Sequence, residues 1–129
     1  MVTKAIVLDS DIFIDFLRTG KGLYLDVLKV AARDGIDLFL SPVTIFEIFV
    51  GSSSKAQRNL ILKSISNFKT ISFDSDLGRF IGELKRDHRL NISFADLIIG
   101  GTALSMKAEI ATRNRKHFES IPGLKFFGV

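Results

Sequence analysis

The sequence predicts an α/β fold of three layers, with a central parallel sheet of four to five strands and helices on both faces. Three observations predict it. Short apolar strands alternate with helix-period segments along the 129 residues, and such alternation implies crossover connections and a parallel sheet. The first strand candidate, AIVL at 5–8, is apolar throughout, as a strand covered on both faces must be. No linker, repeat or low-complexity stretch interrupts the pattern. Residues 1–129 therefore read as one domain, long enough for one hydrophobic core.

The elements follow in order. The first strand ends on Asp9, and a helix follows with Ile12, Phe13, Phe16 and Leu17 on one side. Residues 22–34 carry Leu23, Val27, Val30 and Ala31 at helical spacing, and Gly35 ends that helix. Residues 37–41 form a second strand. Ser41 then caps a helix with Pro42 at its first position, which Gly51 stops. Another helix spans 55–67. Alternation at 69–73 predicts a third strand. Asp74 caps the next helix, whose apolar face is Leu77, Phe80, Ile81 and Leu84, with His88 at its end. A cation there suits the helix dipole, which is a plainer role for His88 than metal binding. Residues 93–107 form the last helix, 108–112 a fourth strand and 125–127 a short fifth.

Composition narrows the function classes. With 47% hydrophobic and 25% charged residues the chain is ordinary globular protein. It has no cysteine, which excludes disulfides and thiolate metal sites and fits the cytoplasm. No apolar run reaches the roughly 20 residues of a membrane span, and Met1–Lys4 leads into a strand without a cleavable-signal pattern. Twelve Phe and no Trp read as core filler. Of these, Phe13, Phe16, Phe46 and Phe49 could also furnish an apolar patch for a second copy. The net charge of +4 and pI of about 9.6 permit a polyanionic partner.

Three carboxylates stand where solvent is not expected. Asp9 ends a strand, Glu47 lies within IFEIFV, and Asp96 lies within FADLII. Carboxylates in apolar surroundings are costly unless paired, hydrogen-bonded or metal-bound. Each has a plainer reading. Asp9 or Asp11 can cap a helix, and Ser93-x-x-Asp96 fits a capping box. Thr44-x-x-Glu47 fits one too, but a helix starting at Ser41 leaves Glu47 beyond the first turn. Oxygen-only clusters of this kind suit hard cations such as Mg²⁺ or Mn²⁺. Arg113, Arg115, Lys116 and His117 flank the end of the fourth strand, the edge where open α/β sheets bind ligands. Lys85, Arg86 and Arg89 form a second basic group, best read as solvated surface.

Four segments in order carry a family resemblance: Asp9-Ser10-Asp11 after an apolar strand; Ser41-x-x-Thr44-x-x-Glu47 with Gly51; Phe94 to Ile99 around Asp96; and Thr112 to Phe118. Together they resemble the PIN-domain ribonucleases, specifically the VapC-type toxins of toxin–antitoxin pairs, over nearly the whole chain. The resemblance implies a PIN-like fold and a metal-dependent endoribonuclease. Mg²⁺- or Mn²⁺-activated water would cleave RNA phosphodiester bonds, in a homodimer inhibited by a cognate antitoxin. By position it implies Asp9, Glu47 and Asp96 as metal-binding acids and Asn114 as a fourth catalytic position. Asn114 is neutral, so it either binds metal weakly or orients water. Ser10, Thr44 and Thr112 become supporting hydroxyls. Asp11, where the family commonly has a small neutral polar residue, either strengthens the metal site or caps the helix. Arg113, Arg115 and Lys116 become the RNA-binding group.

Two rivals differ in class. The Asp9-x-Asp11 pair superficially resembles the nucleophile motif of haloacid dehalogenase phosphatases, but the later Gly-Asp-rich motif of that group is missing. A PIN-like module that binds RNA or protein without cutting it is the other; intact Asp9, Glu47 and Asp96 speak against it.

Overall fold

Strand β1 (Ala5–Leu8) sits at the centre of a five-stranded, all-parallel sheet of order β3-β2-β1-β4-β5. The other strands are β2 (Asp37–Leu40), β3 (Lys69–Thr70), β4 (Glu109–Ala111) and β5 (Lys125–Phe126). This computed structural model describes residues 4–128; the reading of Met1–Thr3 as an uncleaved lead into the first strand lies outside the described residues. Helices α1 (Ser10–Thr19), α2 (Leu23–Asp34), α3 (Pro42–Val50), α4 (Lys55–Ile65), α5 (Ser75–His88) and α6 (Phe94–Ser105) complete the chain.

The alternation of β1 explains the three layers. Successive strand side chains point to opposite faces. Ile6 and Leu8 join one buried cluster, with Ile12 and Phe13 of α1, Val27 of α2 and Ile61 of α4. Val7 joins the other, with Leu77 and Ile81 of α5, Ile98 and Ile99 of α6, and Ile110. Both faces are apolar, so β1 had to read as a continuous hydrophobic run.

The ends of elements follow local chemistry. Gly20 and Gly35 take the left-handed conformation at φ 71° and 66° and close α1 and α2. Ser41 accepts from the Val43 amide, Asp74 from Leu77 and Ser93 from Asp96, each capping its helix.

Several expectations need correction. The third strand stops at Thr70, well short of Phe73. It is an edge strand with β2 as its only neighbour among the described residues, and Asp74 is committed to capping α5. The fourth strand spans three residues and the fifth two. The helix expected to reach residue 67 ends at Ile65. On α5, Leu77, Ile81 and Leu84 are buried, whereas Phe80 is 40% exposed and His88 lies on the surface; the apolar stripe is narrower than the spacing suggested. Nor is Phe purely core filler. Phe13 and Phe118 are fully buried, but Phe46 and Phe94 are 67% and 70% exposed. Among the described residues, no helix is long and apolar enough to cross a membrane.

Close packing of α5 on α6 depends on Gly101. A Cβ there would lie 2.7 Å from Ile81 Cγ1 and 3.1 Å from its Cδ1, and Ile81 is only 2% exposed. Gly101→Val is therefore expected to destabilise the fold by about 1–3 kcal/mol through overpacking, read as a lower urea midpoint with an unchanged slope.

Candidate active site

The sheet order reverses at β1. From β1 the chain moves outward through β2 and β3, then returns to β4 on the other side. Ligands in open α/β sheets bind beyond the carboxyl ends of the strands at such a switch point. Leu8 pairs with Ala111 at these ends, so the next residues, Asp9 and Thr112, emerge side by side. The Asp9 amide donates to the Ala111 carbonyl at 3.0 Å, which fixes that juxtaposition.

Asp9 is buried, with 4% of its surface exposed. Its Oδ1 accepts from the Ser10 amide at 2.8 Å, so it does cap α1. Its Oδ2 accepts from the Thr112 hydroxyl at 2.9 Å. The cap is thus only half of its role. Burial, and then the neighbouring Asp11 charge, push the Asp9 carboxyl up to about 7. Asp96 presses in the same direction. The helix N-terminus and two hydrogen bonds do not offset the burial of Asp9 beside like charge.

Glu47 reaches the same edge from α3. Ser10, the residue after Asp9, donates its hydroxyl to Glu47 Oε1 at 2.9 Å. Thr44, one turn earlier on α3, is buried and donates to the Leu8 carbonyl at 3.4 Å, holding the helix against the end of β1. Glu47 and Ala95 line one groove where α3 packs on α6. Asp96, in the first turn of α6, lies 3.3 Å from His117 Nδ1 through its Oδ2. Ser93 satisfies the Asp96 amide, so the capping-box reading holds for the serine while the Asp96 carboxylate meets His117.

The loop after β4 closes the site. Asp11 Oδ2 accepts from the Arg113 amide at 3.2 Å and from Asn114 Nδ2 at 2.8 Å. The Asn114 amide donates to the Thr112 hydroxyl at 2.9 Å. Burial raises the Asp11 carboxyl, against the pull of the Arg113 amide. The basic residues divide by engagement. Arg113 pairs with Asp15 at 3.1 Å. Arg115 donates to the Phe127 carbonyl at 3.1 Å and stacks over Phe126. Lys116 is exposed and makes no ion pair among the described residues, so it is the one of the three most available to a phosphate.

Asp9, Ser10, Glu47, Thr112, Asp11 and Asn114 thus form one connected polar network, and Asp96 joins it electrostatically. Two further participants are Asp15, which the sequence did not mark, and His117, which the sequence placed only in the basic group after β4. His117 meets Asp96 only because the β4 loop folds over the start of α6. Asp15 lies four residues after Asp11, on the same face of α1, and that spacing could have marked it. Among the described residues, no three His, Asp or Glu side chains form a group that could hold a metal ion as they stand. Ser10, Thr112 and His117 each occupy one of the acids. The donor set nevertheless fits a hard divalent cation. It is all oxygen, crowded with like charge, and includes a buried carboxylate oxygen, Asp11 Oδ1, with no hydrogen-bond partner.

The fold has close counterparts among solved structures. One is VapBC2 from Rickettsia felis bound to a DNA fragment from their promoter, with TM-score 0.81 and 23% identity over 95% of this chain and 97% of that one. DNA-bound VapBC from Salmonella typhimurium matches with TM-score 0.81 and 20% identity over 98% of both chains. FitAcB from Neisseria gonorrhoeae matches with TM-score 0.69 and 22% identity over 95% and 96%. None of the curated proteins matches this sequence. The family model of the PIN domain matches residues 6–124, nearly the whole chain, and this protein belongs to that family, with the fold shared by the VapBC structures.

Proposed function

We propose that this protein is an Mg²⁺- or Mn²⁺-dependent endoribonuclease, the toxin of a toxin–antitoxin pair. The observation that carries the reading is a buried carboxylate, Asp9, with the partly exposed Asp11 and Asp96 pressing like charge on it at the switch point of a PIN fold. Such a set is unfavourable unless a cation completes it. The names of the VapBC structures support an antitoxin partner for this chain. A cytoplasmic homodimer of one-domain subunits completes the proposal.

Asp9, Glu47 and Asp96 would hold a divalent cation, which would supply a water of lowered pKa and charge neutralisation at the scissile phosphate. The rest falls to the chain itself. Thr112 and the Ser10 amide hold the Asp9 carboxylate in one orientation. Ser10 does the same for Glu47. Asn114 is anchored through Asp11 and Thr112 beside the acids. Lys116, with Arg113 and Arg115 behind it, faces the RNA backbone, so binding weakens as salt rises.

The test is cleavage of a folded RNA by the pure protein with Mg²⁺ or Mn²⁺, beside EDTA and beside Asp96→Asn. Cleavage is expected with metal and lost in both controls. RNA that stays bound but uncut under every metal would replace this reading with the non-cleaving binding module.

A further inference from the structure

We propose that Asp11 is itself a ligand of the divalent cation, supplying the charge that neutral Asn114 cannot. The inference rests on the nuclease reading above and assigns Asp11 a role beyond support. The two oxygens of Asp11 are used unequally. Oδ2 is saturated by the Arg113 amide and Asn114 Nδ2. Oδ1 is buried and has no partner, and it is the one side-chain polar atom in that condition among the described residues.

A carboxylate that served only as a latch for the β4 loop would need one oxygen and could leave the other in water. Here the second oxygen is withheld from water and given nothing, which is unfavourable for a charged acceptor. Asp11 also stands two residues from buried Asp9, in the first turn of the helix that Asp9 caps. A cation held by both carboxylates satisfies the empty Oδ1 and removes the repulsion; a proton shared between Asp9 and Asp11 is the competing way to do both, and a direct measurement of metal binding separates the two. Asn114 cannot take this part. Its amide oxygen carries no charge, and its nitrogen already donates to Asp11. The hydrogen bond between them therefore joins a charged member contributed by α1 to a neutral one contributed by the β4 loop.

That asymmetry supplies the test. Asp11→Asn keeps an acceptor oxygen for the loop but removes the charge. Asp11→Asn with Asn114→Asp moves the charge across the same hydrogen bond. Mn²⁺ affinity is measured by the electron paramagnetic resonance signal of free Mn²⁺, with circular dichroism as the check on folding. Asp11→Asn is expected to weaken Mn²⁺ binding by about tenfold or more, and the exchanged pair to recover most of it. A folded Asp11→Asn that binds Mn²⁺ as tightly as the wild type overturns the inference and leaves the nuclease reading standing. An exchanged pair as weak as the single variant overturns it as well. Wild-type protein that binds no Mn²⁺ overturns both.

Discussion

Asp9→Asn is expected to lower RNA cleavage by about a thousandfold or more, about 4 kcal/mol of barrier, and at the same time to make the metal-free protein more stable. The two effects have one cause. Asp9 is buried beside Asp11, and its carboxyl is pushed up to about 7 from the ordinary 3.8. A group whose pKa rises on folding holds its proton more tightly in the folded chain. Its contribution therefore favours the fold below about pH 4 and is lost as pH climbs to about 7. Asparagine still caps α1 through its side-chain oxygen, and the Thr112 hydroxyl can accept where it now donates. The variant should thus unfold at a higher temperature than wild type at pH 8, by on the order of 5 °C, with the gap closing toward pH 4. Thermal melts in EDTA across that range measure it. A variant that is inactive and also less stable at pH 8 would show Asp9 to be a structural cap, and the site would lose its central acid.

Phe13→Ala is expected to cost about 3–5 kcal/mol, a large share of the 5–15 kcal/mol that holds a typical domain together. Phe13 is fully buried. Its ring lies 5.1 Å from those of both Tyr24 and Phe68, edge-on to the first and tilted on the second. It therefore joins α1, α2 and the approach to β3 in one cluster, on the helix that presents Asp9 and Asp11 to the site. The residue belongs to the core and not to a surface patch; among Phe13, Phe16, Phe46 and Phe49, Phe46 is the one that is largely exposed. Denaturant unfolding should show the full loss. A change below about 1 kcal/mol would mean that the cluster collapses to fill the space.

The fold was largely legible from local pattern. β1 had to be central because all of AIVL is apolar, and the caps Ser41, Asp74 and Ser93 fall where the sequence placed them. The strands at the sheet edges were less legible. Residues 71–73 alternate as a strand does, but β3 has one neighbour among the described residues and α5 claims Asp74. Pairing, which is tertiary, decides how far an edge strand runs.

The candidate acids show the same division. Chain chemistry singled out Asp9, Glu47 and Asp96, because a carboxylate in an apolar segment is conspicuous wherever the fold places it. Their connections were not readable: Ser10 to Glu47 spans 37 positions and Thr112 to Asp9 spans 103. Nor could sequence separate the tied arginines from Lys116, which has no ion pair among the described residues, or bring His117 to Asp96, since each depends on which loop crosses which helix end. Sequence by itself determined the elements, the layers and the residue types able to hold a cation, since these follow from periodicity and the cost of burying charge. Only the tertiary structure decided which oxygens are satisfied and which, like Asp11 Oδ1, are left without a partner. Hydrogen bonding is a matter of a few tenths of an ångström between residues a hundred positions apart, and no local pattern encodes that.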